Sequence, residues 1–158
     1  MFVKMRLPKE HECSQDWRAL SIRAPHITKI IKKQKKIENR GRKLPECATF
    51  QYIALHQSKK SACGHVMSNN ETLKKGKIIG ICRMREVPKV VAKILDPAHF
   101  DGGNYSHFFE IADVFPLKNP IPARGWPSIF WKIKDNTSKK LLSNALFRHL
   151  GVDVSYSL

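Results

Sequence analysis

Carboxylates are scarce in this chain: 13 Asp and Glu stand against 29 Lys and Arg, a formal net charge of +16. A surface so short of negative charge implies an anionic partner, with nucleic acid the first candidate and an anionic membrane surface the second. Against the second, long apolar runs are missing. No stretch approaches the roughly 18 apolar residues of a spanning helix. The N-terminal "MFVKMRLPKEHEC" interrupts its apolar character with Lys4, Arg6 and Pro8 before any export signal forms. The expectation is a chain inside the cell, cytoplasmic or nuclear, with no membrane partner. Paired cysteines are missing too. Cys13, Cys47, Cys63 and Cys82 are spread without a framework, which suits a reducing compartment. His11-Glu12-Cys13 and Cys63-Gly64-His65 bring metal-binding residue types together, yet neither contains the closely spaced ligand pair of a structural zinc site. No metal and no cofactor is expected, and Cys82 reads as a small buried strand residue.

What remains is enough for one domain. The chain has 158 residues, 42% hydrophobic and 27% charged, which is ordinary globular composition rather than that of a disordered tail. Residues 1–18 carry no periodicity and read as an N-terminal arm; the domain is placed at 19–158. "RALSIRAP" predicts a short strand running into a proline at a helix start. Ile27, Ile30 and Ile31 then stripe a short helix, with Lys29, Lys32 and Lys33 around it. "KKIENR" changes the period towards two, placing Lys36, Glu38 and Arg40 on one face of an extended segment and Ile37 and Asn39 on the other. "ATFQYIALHQ" is a strand apolar on both faces. The stretch "SKKSACGHVMSNNETLKKG" reads as a polar loop, and "KIIGICRMREV" as a second clear strand. Segment 88–107 is an excursion whose "VVAKIL" fits helix or strand. "FFEIADVFPL" predicts a third strand, "PIPARGWP" a turn and "IFWKIK" a fourth strand. The last helix is capped by Asn136, Thr137 or Ser138, striped by Leu141, Leu142, Ala145, Leu146 and Leu150, and stopped by Gly151. This order predicts a mostly β, α+β domain. A small barrel plugged by a helix fits best, with an open sheet as the alternative.

One stretch carries the functional question. Between Lys29 and Lys43 there are eight Lys or Arg residues and a single acid, Glu38. A carboxylate among cations lowers their mutual repulsion and fixes geometry, so Glu38 is placed to pin the Arg40 guanidinium with its remaining donors facing a cleft. The plainer reading is a surface ion pair worth about 0–1 kcal/mol. His56 ends a strand just before Lys59; it is either a satisfied core histidine or part of a cationic pocket with Lys35 and Arg40. Trp131 alternates with Ile133 as core. Trp126, between Gly125 and Pro127, is the candidate exposed stacking surface or a lid on the barrel end.

Four places resemble the ASCH family of PUA-like β-barrels. "LSIRAPH" is similar to the family's first strand and helix start. Lys35, Glu38 and Arg40 stand as its K-x-x-E-x-R signature. "YIALHQSKK" resembles its strand ending in histidine, and "PIPARGWPSIFWKI" its closing segment. Together they span about residues 19–134. The chain departs from the pattern at Lys33, where the family has glycine, at His26, where it has tryptophan, and at Gln57, where it has alanine. The resemblance implies a PUA-like barrel with a short helix after the first strand, a C-terminal helix, and a cleft walled by the signature charges. It also implies three function classes. The first is a nucleic-acid-binding module, RNA before DNA, single-stranded or structured. Its contacts would come from Lys35, Glu38, Arg40, His56, Lys59 and Trp126, with Lys29, Lys32 and Lys33 touching phosphates. The second is a hydrolase, because relatives include ribonucleases and enzymes that deacylate acylcytidines. Lys35, Glu38 and His56 would be catalytic, although the threonine that follows the amidohydrolases' lysine by three is Glu38 here. The third is an adaptor, since ASCH domains occur in transcriptional coactivators. A monomer is expected.

Overall fold

The computed structural model describes residues 17–126 and 130–151. Cys13 and the arm up to residue 16 lie outside them; Trp17 is buried and Arg18 opens the first strand. Six strands form one curled mixed sheet, an open half-barrel. They are β1 (Arg18–Ile22), β2 (Ile37–Arg40), β3 (Tyr52–Gln57), β4 (Lys77–Val87), β5 (His107–Pro122) and β6 (Trp131–Lys132), in spatial order β2-β5-β4-β3-β1-β6. β1 and β3 run parallel, and the other pairs are antiparallel. Four helices among the described residues complete it: α1 (His26–Ile31), α2 (Asn69–Lys74), α3 (Lys89–Leu95) and α4 (Asn136–His149).

The predicted mostly β, α+β architecture is observed, and its central strands are apolar on both faces for a physical reason. Leu20, Ile22, Leu55, Ile79 and Cys82 point to one side and join Ile27 and Ile30 of α1. Ala19, Ala54, Ile78 and Ile81 point to the other and join Leu142 and Leu146 of α4. Helix α1 and the C-terminal helix α4 therefore cover opposite faces of the sheet. Cys82 is fully buried, and that burial raises its thiol pKa. Helix α4 is capped by Asp135, which accepts the Ser138 N–H at 2.9 Å, not by Asn136, Thr137 or Ser138. Its apolar stripe is narrower than expected, with Leu141 half exposed, and Gly151 ends it at φ +75°.

Three further expectations change. Strand β5 continues through Pro122 where a turn was expected. Ile121 pairs with Ile78 and Pro122 with Lys77, so the ladder runs on to the first residue of β4, while Pro116 sits opposite Gly80 between register shifts, where proline is tolerated. Within the predicted polar loop, Ser68 and Glu71 form a reciprocal capping box that starts α2. The "VVAKIL" ambiguity resolves as α3, whose Ala92 packs with Ile37, Val87 and Phe108.

The end of α1 sets the conformation of Lys33. Gln34 N–H bonds the Lys29 carbonyl and Lys33 N–H bonds the Ile30 carbonyl, the paired bonds of a Schellman motif. Lys33 is consequently left-handed, at φ +61°. A side chain there costs about 1–2 kcal/mol, part of which glycine returns through its greater unfolded entropy. Lys33→Gly is expected to stabilise the fold by about 0.5–1 kcal/mol, read as a higher urea midpoint at unchanged m-value. A lower midpoint would mean that the lysine side chain makes a compensating contact.

Candidate functional site

The lone acid of the basic stretch is buried. Lys35 and Glu38 are only 4% and 6% exposed, which rules out a surface ion pair. Lys35 Nζ donates to one Glu38 oxygen at 2.9 Å, and Arg40 Nε lies 3.2 Å from the other. The second contact is ionic without an aligned hydrogen bond. Glu38 does pin the guanidinium, but Arg40 turns inward, donating from Nη2 to the Ser21 carbonyl at 3.1 Å. Lys36, expected to share the face of Glu38, is exposed, and the lysine that pairs is Lys35, in the turn before β2.

Around Lys35 and Glu38 lies a hollow of about 470 Å³, walled by His26, Asn39 and the segment 98–105. That segment is held against β2 by two polar residues. Buried Asp96 accepts the Lys36 N–H at 2.8 Å and contacts His99 Nδ1 at 2.9 Å. Asn39 donates to the His99 carbonyl at 2.8 Å and accepts the Asp101 N–H at 3.1 Å. Burial alone would raise the Asp96 pKa, but these donors hold it below the usual carboxylate range. The pKa of His26 is lowered as well, by partial burial and by the charge on Lys35.

His56 sits under a second hollow, of about 480 Å³. Its Nε2 lies 2.9 Å from the Ala123 carbonyl, so that nitrogen carries the proton. Nδ1 must then accept from the Ser21 hydroxyl at 2.9 Å, and Ser21 in turn accepts the Trp131 indole N–H at 3.1 Å. The imidazole is 3% exposed, and burial lowers its pKa, in keeping with this neutral tautomer. Gly125 must be glycine here, because a Cβ would fall 2.7 Å from the His56 ring. The mouth of the hollow carries Lys59, Lys60, Arg124 and Trp126, and no acid is among the residues lining it. Trp126 is 52% exposed, with the Arg124 guanidinium 5.7 Å from its ring.

The expected single cleft is thus two hollows. Lys35 and Glu38 floor one; His56, Lys59 and Trp126 line the other. Their floors are joined through Glu38, Arg40, Ser21 and His56. Lys29, Lys32 and Lys33 line neither. Sequence reasoning missed Lys60 and Arg124, although adjacency to Lys59 and Trp126 would have found them. It missed Asp96 and His99 because their role depends on pairing with a strand 60 residues away. Among the described residues, no group of three metal-ligating side chains is gathered, and no helix is long and apolar enough to cross a membrane.

A curled six-stranded sheet with one helix after its first strand and another at its C-terminal end defines a mostly β, PUA-like α+β domain. Within that class the fold is ASCH-like. Two mutants of the ASCH protein from Zymomonas mobilis superpose with TM-scores of 0.52, at 14% and 13% identity. They cover 83% and 82% of this chain and 97% and 98% of theirs. A further structure of ASCH from Zymomonas mobilis gives a TM-score of 0.50 at 14% identity, covering 81% of this chain and 94% of the other. No family model and no curated protein matches the sequence.

Proposed function

We propose that this domain binds single-stranded nucleic acid, RNA in the first place. The observation that carries the reading is the His56 hollow: three cations and a half-exposed indole, with no acid among the lining residues. Lys59, Lys60 and Arg124 supply phosphate contacts, Trp126 supplies a face on which a base stacks, and the excess of +16 draws the polyanion in. The Lys35–Glu38 hollow, with carboxylate, amide and imidazole groups in its walls, suits the polar edge of an unpaired base.

A hydrolase of RNA or of acylated cytidine is the weaker reading. Its base or nucleophile must reach substrate, whereas Lys35 is buried against Glu38 and both ring nitrogens of His56 are engaged. An adaptor role has no observation of its own beyond the charge.

The test is the salt dependence of binding to a labelled single-stranded RNA. Lys35 is buried and Arg40, partly exposed, is tied to Glu38 and the Ser21 carbonyl, so their removal would probe folding instead; Lys59→Ala/Arg124→Ala is the informative pair. It should flatten the plot of log affinity against log salt by about 1.4, or 0.7 per phosphate contact. Trp126→Ala should weaken binding about 5- to 100-fold and leave the slope alone. Lys139→Ala/Lys140→Ala, on α4, is the charge-matched control. Equal losses in the two double variants would reduce the hollow to generic charge. Shortened RNA or released acyl group in the same tubes would overturn binding without chemistry.

A further inference from the structure

On the sheet away from both hollows, Phe50 is an unexplained expense. It precedes β3 in the left-handed region, at φ +59°, with its N–H bonded to the Met84 carbonyl at 3.0 Å. A bulky L-residue is strained there. Burial does not compensate, because Phe50 is 60% exposed and belongs to none of the buried clusters. Glycine would satisfy the backbone better. A residue that is both strained and exposed calls for a functional reason.

Its surroundings supply one. Phe50 overhangs a hollow of about 290 Å³ whose other walls include Arg83, Met84 and Arg85. Arg83 and Arg85 alternate onto one face of β4, and Tyr52 is paired in register with Arg83, whose guanidinium lies 5.0 Å from its ring. The Tyr52 hydroxyl is tied to Asp113, which fixes that ring. Both arginines have carboxylate neighbours, Arg85 paired with Glu110 and Arg83 lying 3.9 Å from Asp113. Much of the charge on this face is therefore answered internally. What it offers outward is flat π surface: one phenyl ring and two guanidinium planes, with side-chain exposures of 40% and 50% for Arg83 and Arg85.

We infer that Phe50, Arg83 and Arg85 form a second, separate stacking platform for unpaired nucleobases of the RNA whose phosphates are held elsewhere on the protein. The inference rests on the RNA-binding reading above. Phenyl and guanidinium planes both stack on bases, with little regard to sequence. The complementarity is with the bases rather than the phosphates, since the platform's own cations are largely neutralised and the +16 excess lies elsewhere. The left-handed turn at Phe50 holds the ring out from the sheet rather than folding it into the core.

The platform makes stability and affinity move in opposite directions. Phe50→Gly removes the ring and the backbone strain together. It should melt at or above the wild-type temperature, yet bind an oligoadenylate of about 20 nucleotides some 5- to 100-fold more weakly, with the salt slope unchanged. An abasic strand of the same length should bind wild type and variant alike. Phe50→Trp should keep the affinity, and Phe50→Leu should lose it, because leucine retains apolar bulk without a π face.

Each contrary result is distinguishable. If Phe50→Gly binds oligoadenylate like wild type while Lys59→Ala/Arg124→Ala does not, the platform is refuted and the RNA reading stands. If wild-type protein binds no RNA, that reading fails and the platform with it. Full affinity in Phe50→Leu would overturn stacking and point to an apolar contact with another protein. A Phe50→Gly protein that melts well below wild type would show that the ring is a packing element.

Discussion

Glu38→Ala is expected to cost the fold about 3–5 kcal/mol, the usual loss when one partner of a buried ionic group is removed. The carboxylate is 6% exposed and is the acid within contact distance of both Lys35 and Arg40. Without it, the buried Lys35 ammonium and the partly exposed Arg40 guanidinium face each other with no carboxylate between them. Most of the penalty is their uncompensated desolvation rather than the value of the lost bonds. Urea denaturation of the wild type and variant measures it. Replacing Lys35, Glu38 and Arg40 together by apolar residues of similar volume should recover much of the loss, because no orphaned charge then remains. A loss below about 1 kcal/mol for Glu38→Ala would instead place the group in the energetic class of surface pairs.

Glu71→Ala should be the next most costly change, at about 2–3 kcal/mol. One oxygen of Glu71 accepts the Thr28 hydroxyl at 2.7 Å; the other accepts His65 Nε2–H at 3.0 Å and the Ser68 N–H at 3.1 Å. The change removes half of the capping box of α2, worth about 1 kcal/mol, and leaves part-buried donors from α1 and from the 58–76 segment unpaired. Burial on its own would raise the Glu71 pKa from 4.5. The three donors override it and hold the group at about 2.

The sign of the pH effect follows. A depressed folded-state pKa means that the unfolded chain binds the proton more readily. The contribution is therefore complete above about pH 4.5 and lost as pH falls towards about 2. Wild-type stability should fall between about pH 4.5 and pH 2, and Glu71→Ala should fall less steeply over the same window. Some slope will remain, because Asp96, Asp113 and Asp135 are also held below their usual range. Equal slopes would mean that Glu71 is not ionically engaged. The position bears on the proposed RNA site because the segment it ties to α1 carries Lys59, Lys60 and Gly76 into the wall of the His56 hollow.

The elements legible in the sequence were those whose pattern is local. The change of period towards two marked β2, and runs of β-branched and aromatic residues apolar on both faces marked β3; the Ile27/Ile30 stripe marked α1; and Gly151 marked the end of α4. Helix α2 was also legible in principle, as the Ser68–Glu71 capping spacing, but its low apolar content made the segment resemble a loop. Strand β5 was cut short because the prolines and glycine of 120–127 read as a turn, whereas the ladder runs on through Ile121 and Pro122, paired with Ile78 and Lys77.

For the candidate site, the sequence by itself determined the residue types. It determined a surplus of cations, a single carboxylate set among them, and a tryptophan between glycine and proline. Tertiary structure decided everything that depends on burial and on residues far apart in the chain. It turned Glu38 from a surface partner into the buried acid between Lys35 and Arg40, and it separated His56 from Lys35 into different hollows. It fixed the tautomer of His56 through Ser21 and Ala123, and it left Phe50 strained in the open. Charge and periodicity are properties of the chain and its nearest neighbours. Solvent exclusion and hydrogen-bond partnership are properties of the packed sheet, and these determine whether an ion pair is worth nothing or several kcal/mol.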